Sequence, residues 1–258
     1  MFDTTRAFFF GAFLLGAACS LPLACAHGAE LPDTLAKVKL SVVGVGTVEP
    51  ARHTSASFLG TGFVVGNGRF VLTNEHVVSK QLDAAHKEAW AVFVGVGAQV
   101  RHARQVAKDA KHDVALLEIS GEPLPALTLG DSNQVREGEL YAFTGFPIGP
   151  VLGLHPVTHR GIVSAITPIA IPQAASRELN SRIIDRLRHP YDVFQLDAIA
   201  YPGNSGSPLY NPSTGKVVGI VNAVFVKESK ESVLQKPSGI SYAIPINYAR
   251  ALMEEAGQ

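Results

Sequence analysis

Cysteine is nearly absent from this chain of 258 residues. Its two cysteines, Cys19 and Cys25, both fall within the first 26 residues, so the chain beyond them has no disulfide to hold it and no thiolate for a zinc site. Charge is scarce as well. Only 17% of residues are charged, and Lys+Arg and Asp+Glu both number 22. A net charge of zero removes the electrostatic reason to expect nucleic acid or an anionic membrane as a partner. There is no internal repeat, low-complexity tract or charge block, and the single Trp, Trp90, is most simply a packing residue. What the chain does have is 24 Gly, 16 Pro and a 47% hydrophobic content, the composition of a globular protein rich in turns.

The first 26 residues read as a separate object. Arg6 precedes the apolar run Ala7 to Ala18, and Ala24-Cys25-Ala26 forms an A-x-A cleavage pattern, so residues 1–26 are expected to be a secretory signal peptide. The run is short for a membrane span of about 20 residues. A lipoprotein leader modified at Cys19 or Cys25 ranks lower, because neither Cys has a Leu three residues before it. The expected location is therefore periplasmic or secreted, with lipid anchoring less favoured and no integral span once the leader is removed.

Downstream, short runs of β-branched and aromatic residues alternate with Gly and Pro turns. Val38 to Val45, Phe58 to Val65, Arg69 to Thr73, Ala91 to Val96, Gln99 to Ala107 and Val114 to Ile119 are expected strands, with a hairpin turning at Gly66-Asn67-Gly68. Leu31 to Leu35 reads as a connector, and the stretch from Glu49 to Ser57 as a loop. Residues 121–138 read as a link to a second set of strands at Glu139 to Thr144, Val157 to Ile166, Val193 to Leu196, Lys216 to Val226 and Gly239 to Ile244. Only Gln173 to Leu187 and Tyr248 to Glu255 carry helical spacing, the latter with Asn247 as an expected N-cap. The pattern predicts an all-β fold of sandwich or barrel type.

Three stretches carry chemistry. In Tyr201-Pro202-Gly203-Asn204-Ser205-Gly206-Ser207-Pro208-Leu209, one Ser sits between two glycines that permit a tight, strained bend. Such a bend exposes a hydroxyl beside converging backbone N–H groups, as a serine nucleophile and its oxyanion require. The competing reading of this stretch alone is an ordinary turn. His76 follows the apolar run ending at Thr73, the end of a rigid element where a general base is best held. Asp113 opens Val114-Ala115-Leu116-Leu117, and a carboxylate at the mouth of a buried strand needs a hydrogen-bonding partner such as an imidazole N–H. Asp109, four residues earlier, lies in a polar turn and is expected to be solvated. His155 and His159 are four apart, but Pro156 and the β-type neighbours argue against a metal pair on a helix. Gly44-Val45-Gly46 and Gly95-Val96-Gly97 lack the further Gly and helix of a phosphate loop. No cofactor or metal is expected.

The order His76, Asp113, Ser205 resembles the trypsin-like serine proteases, and most closely the HtrA/Deg family. The resemblance rests on Gly60-Thr61-Gly62-Phe63, Leu72-Thr73-Asn74-Glu75-His76-Val77-Val78, Asp113-Val114-Ala115-Leu116 and Leu129-Gly130-Asp131-Ser132. It continues through Gly145-Phe146-Pro147-Ile148-Gly149, Gly161-Ile162-Val163-Ser164, Gln195-Leu196-Asp197-Ala198, Pro202-Gly203-Asn204-Ser205-Gly206 and Tyr242-Ala243-Ile244-Pro245. The resemblance implies two six-stranded antiparallel β-barrels of chymotrypsin/trypsin type with a short C-terminal helix. Barrel 1 would span about 36–120, the linker about 121–138 and barrel 2 about 139–247, within a protease domain of residues 31–258.

It also implies a serine endopeptidase acting on polypeptides, with His76, Asp113 and Ser205 catalytic and an oxyanion hole at Gly203, Asn204 and Ser205. A role in protein quality control outside the cytoplasm and a homo-oligomeric state are further implications. Ile199, Ala200 and Tyr201 would line the primary specificity pocket and favour an apolar residue before the cut. Ser207 departs from the family's usual second Gly, and residues 167–192 form a longer loop than is usual. No peptide-binding PDZ domain is expected within this chain. The alternative is a non-catalytic or latent peptide-binding, chaperone-like module on the same fold.

Overall fold

A computed structural model describes residues 31–49, 56–149, 154–169, 190–223 and 240–258. After a first helix, α1 (Leu31–Val38), six strands follow: β1 (Val42–Val48), β2 (Ala56–Val65), β3 (Phe70–Thr73), β4 (Ala89–Val94), β5 (Gln99–Asp109) and β6 (Val114–Ile119). Six more come after the linker: β7 (Leu140–Gly145), β8 (Val157–Pro168), β9 (Asp192–Asp197), β10 (Pro208–Tyr210), β11 (Val217–Asn222) and β12 (Ile240–Pro245), and the chain ends on α2 (Ile246–Glu255). Each set closes on itself. The first barrel runs β1-β2-β3-β6-β5-β4 and the second β10-β11-β12-β9-β8-β7, with every neighbouring pair antiparallel.

The near-continuous apolar strands have a simple cause: both of their faces are buried. In barrel 1, Val43, Val45, Val64, Val71, Val92 and Leu117 point inward. Their strand neighbours Phe63, Val65, Leu72 and Leu116 turn the other way, into a seam shared with Tyr210, Ile220 and Ile244 of barrel 2. Ile246, Ala249, Leu252 and Met253 of α2 close the same seam. Barrel 2 fills its interior with Phe143, Val163, Phe194, Leu196, Leu209 and Val221. The two barrels are thus packed as one body, and a cleft between them is fixed by apolar burial rather than by a hinge.

Two local expectations are corrected. Residues 31–35 are not a connector but the start of α1, where Leu31, Leu35 and Val38 recur at helical spacing and Asp33 sits in the first turn. The last helix begins at Ile246 after Pro245, and Asn247 is not its cap. Its side chain ties the helix to the linker instead: Asn247 Nδ2 donates to Asp131 Oδ1 at 2.8 Å, and Asn247 Oδ1 accepts from Ser132 N–H at 3.3 Å. Strand β10 is only three residues long, too short for a pattern to register. The β2–β3 hairpin forms as expected, with Gly66 and Gly68 both at positive φ. The expected helix at 173–187, the leader and most of the 49–57 loop lie outside the described residues. Among the described residues no helix is long and apolar enough to cross a membrane.

Candidate active site

His76 leaves the end of β3 on a short 3-10 turn, Glu75–Val78, whose Val77 and Val78 are buried in the interior of barrel 1. Those two anchors fix the backbone, so the imidazole is presented from a rigid base. Asp113 sits at the mouth of β6 and is 4% exposed. Its φ of +57° places it in the left-handed region, uncommon for any residue but glycine. The conformation is held from several sides. Asp113 C=O accepts from Glu75 N–H at 3.2 Å and from Asn74 Nδ2 at 3.1 Å.

The carboxylate itself has three donors. His76 N–H reaches Oδ1 at 2.9 Å, His76 Nδ1 reaches Oδ2 at 2.8 Å, and Asn222 Nδ2 reaches Oδ2 at 2.7 Å. An ionised carboxylate only accepts, so Nδ1 carries the proton and Nε2 is left as the basic nitrogen.

Ser205 comes from the opposite barrel, on the turn leading into β10. Two glycines give this turn its shape. Gly203 has φ +98° and Gly206 φ +89°, and a Cβ on Gly206 would sit 1.9 Å from Thr61 O. Asn204 N–H donates to Tyr201 O at 2.9 Å and Ser207 N–H to Asn204 O at 3.0 Å. Thr61 of β2 crosses the cleft to brace the turn. Its N–H donates to Ser205 O at 2.8 Å, and its hydroxyl donates to Gly203 O at 2.6 Å. Pro202 O accepts from Ile148 N–H at 2.7 Å.

With the carbonyls of Pro202 and Gly203 held in this way, two N–H groups remain. Among the described residues neither Gly203 N–H nor Ser205 N–H meets an acceptor. Asn204, expected to share in the oxyanion hole, has committed its N–H to Tyr201 O and contributes none.

Adjacent residues link the two halves of the site. Asn222 donates to the Asp113 carboxylate, while Ala223 N–H donates to Ser205 Oγ at 3.2 Å. Ser205 Oγ is not hydrogen-bonded to His76 here; such contacts tighten when substrate is bound. Of the expected pocket residues, Ala200 N–H donates to Ser241 Oγ at 2.7 Å, and the Tyr201 ring lies 6.2 Å from the ring of His159. Ile199, Ala200 and Tyr201 are all half-buried. His159 is stacked on Phe143, and burial pushes its pKa down, so it is neutral at physiological pH. Among the described residues no group of three or more His, Cys, Asp or Glu is placed to hold a metal ion.

Sequence reasoning missed Asn222 and Thr61, and it read Asp109 as solvated. Asn222 ends the otherwise apolar strand Val217–Asn222, and a buried amide in that position signals an obligatory partner. Asp109 is not simply solvated. Its Oδ1 accepts from Lys111 N–H at 2.9 Å and His112 N–H at 3.1 Å, ordering the turn that leads to Asp113.

Comparison with known proteins agrees with the two-barrel fold. Residues 60–220 match the model of the trypsin-like peptidase domain. A probable periplasmic serine endoprotease, DegP-like, from Pseudomonas putida is 34% identical over 203 residues, covering 77% of this chain and 34% of that protein. The magnetosome formation protease MamE of Paramagnetospirillum magneticum is 32% identical over 238 residues, covering 90% of this chain and 28% of its own length. The chain thus spans about a third of the length of the curated relatives it matches. The solved HtrA-type protease AlgW with tripeptide superposes with a TM-score of 0.62 at 26% identity, covering 87% of this chain and 62% of that one. By these matches the chain belongs to the trypsin-like peptidases, among their HtrA-type members.

Proposed function

We propose that the chain is a serine endopeptidase acting on polypeptides through Ser205, His76 and Asp113. The observation that carries the reading is the Asp113–His76 pair, joined through Asn222 and Ala223 to a serine whose turn offers two unpaired N–H groups. Ser205 Oγ attacks the scissile carbonyl while its proton passes to His76 Nε2. The resulting imidazolium is stabilised by the Asp113 carboxylate. The oxyanion of the tetrahedral intermediate accepts from Gly203 N–H and Ser205 N–H. Each such donor is typically worth about 10²–10³ in rate. His76 then gives its proton to the leaving amine, and the C–N bond breaks to leave an acyl-enzyme. Water, deprotonated by His76, attacks the ester carbonyl and restores Ser205.

Ile199, Ala200 and Tyr201 form the wall of the primary pocket in this reading, and a small or medium apolar residue precedes the cut. A peptide library returning strong Arg or Lys preference overturns that assignment. The work is done outside the cytoplasm, in protein quality control, consistent with a relative named as a periplasmic endoprotease.

Labelling by a fluorophosphonate serine probe tests the reading. Wild type reacts, and Ser205→Ala and His76→Ala do not; a folded wild type that stays unlabelled with and without added peptide overturns it. A second reading, a latent or binding module on the same fold, draws on the Ser205 hydroxyl being engaged by Ala223 N–H rather than by His76. Labelling that requires added peptide identifies the latent form.

A further inference from the structure

We infer that His112 is a positioning residue that bolts the two barrels together behind the catalytic carboxylate and so keeps Asp113 aimed at His76. The inference rests on the triad assignment above. Asp113 adopts a left-handed backbone, which an L-residue keeps only when its surroundings enforce it. The residue immediately before it is His112, and its ring is gripped from three directions. Asp109 Oδ2 hydrogen-bonds His112 Nδ1 at 2.5 Å within the turn. Tyr248 of α2 stacks flat on the imidazole, with ring centroids 3.9 Å apart and planes 10° from parallel. Tyr191, just ahead of β9, meets it edge-on at 4.7 Å and 73°. The two tyrosines also pack against each other at 5.5 Å.

The three rings come from barrel 1, barrel 2 and the terminal helix, far apart in sequence. Tyr191 is in turn seated on Ile169 and Val193, and its carbonyl accepts from Ile169 N–H at 2.9 Å. The neck of the β8–β9 hairpin is thereby fastened to the turn that ends in Asp113. A base on one barrel and a nucleophile on the other must keep register to within a fraction of an ångström, and a misplacement of about 1 Å costs on the order of 10²-fold in rate. A clamp on the residue next to Asp113 is well placed to hold that register. Simple packing would stabilise the fold without this coupling, and the two roles separate in experiment.

The test uses the full chain with His112→Ala, His112→Phe and Tyr248→Leu, and with Val38→Ala as a control that loosens the apolar core without removing any of the three rings. Three readouts are taken on folded protein: the rate of fluorophosphonate labelling, kcat and KM for a peptide substrate, and the low-field proton NMR signal of His76 Nδ1–H measured in a Ser205→Ala background. His112→Ala is expected to label about tenfold more slowly, with kcat lowered and KM within about twofold, and its low-field signal shifted or broadened. His112→Phe keeps the ring contacts but loses the Asp109 bond and falls between. Val38→Ala loses thermal stability yet keeps the wild-type rate and signal. Should His112→Ala fail to fold, His112→Phe and Tyr248→Leu carry the same comparison. Wild-type labelling and an unmoved signal in folded His112 and Tyr248 variants overturn the inference. A wild type that never reacts with the probe sinks the proposed function instead, while the NMR signal, which needs only the His76–Asp113 pair, still reads the bolt.

Discussion

The two barrels meet the active site in different ways. On the first barrel the polar groups around the carboxylate are almost fully used. Asp113 has three side-chain acceptor contacts and two more at its carbonyl, and Asn74 Oδ1 is the one buried atom among its direct neighbours without a partner. On the second barrel, the turn that carries Ser205, the proposed nucleophile, is poorly satisfied. Asn204 and Ser207 are completely buried, yet among the described residues Asn204 Oδ1, Asn204 Nδ2 and Ser207 Oγ have no hydrogen-bond partner. Space there is tight as well, since a Cβ on Gly145 would lie 2.0 Å from Ser207 Oγ. A base must hold one tautomer and one orientation throughout the reaction, which a saturated network enforces. A nucleophile turn must keep N–H groups unpaired for the oxyanion, and buried unsatisfied groups beside it are a cost carried by the rest of the fold.

Breaking the saturated side should give the largest effect. Asn222→Leu strips one donor from the buried carboxylate, and hydrogen bonds to charged groups are worth about 1.5–3 kcal/mol. A fall in kcat of about 10–100-fold is expected, read by steady-state hydrolysis of a peptide substrate, with little change in KM. A variant of wild-type activity would show that the Asn222 contact is dispensable.

Next in size is the brace across the cleft. Thr61→Val removes the hydroxyl that donates to Gly203 O and accepts from Phe146 N–H at 3.1 Å. With the Gly203 carbonyl released, the Gly203 N–H loses its aim, and labelling by the serine probe is expected to slow by about tenfold. Barrel 1 also offers a smaller, pH-dependent effect. Burial pushes the Glu88 carboxyl up, but Lys80 Nζ at 2.5 Å, Thr47 Oγ1 at 2.6 Å and Asp83 N–H at 2.9 Å outweigh it and lower its pKa from 4.5 to about 2. A depressed carboxyl pKa stabilises the folded state above the unfolded value, and that contribution disappears as pH falls from about 4.5 toward 2. Melting temperatures measured across that range should fall more steeply for wild type than for Glu88→Gln, and parallel curves would refute the assignment.

The smallest effect sharpens the contrast from the unsatisfied side. Ser207→Ala deletes an unpaired buried hydroxyl without opening much space. It should leave stability unchanged or raise it by up to about 1 kcal/mol in denaturant melts. A clear loss would mean that the hydroxyl is satisfied in solution.

Much of this was legible in the residues, for physical reasons. Ser205, His76 and Asp113 could be read because each sits at an abrupt change of local character: a Gly-flanked turn, the end of an apolar strand, the start of another. The barrel strands announced themselves by β-branched residues between Gly and Pro turns. Other features depend on relations that a linear pattern does not carry. The helix of Leu31–Val38 spans barely two turns, so its apolar spacing had little length in which to appear. Asn247 has the chemistry of a helix cap but meets Asp131 and Ser132 across 116 and 115 positions of sequence. His112 was one of nine histidines, and nothing local distinguishes a ring that two distant tyrosines will enclose.

The Thr61 brace also bears on how far the chain can be divided. One strand of the first barrel acts as the mould for the turn of the second: Thr61 N–H and Oγ1 grip Ser205 O and Gly203 O, and Gly206 has room for no more than a hydrogen beside Thr61 O. Neither half alone shapes the turn of Ser205. Fragments cut within residues 121–138 would each be inert, and reactivity would return only when they dock, as in a two-input switch.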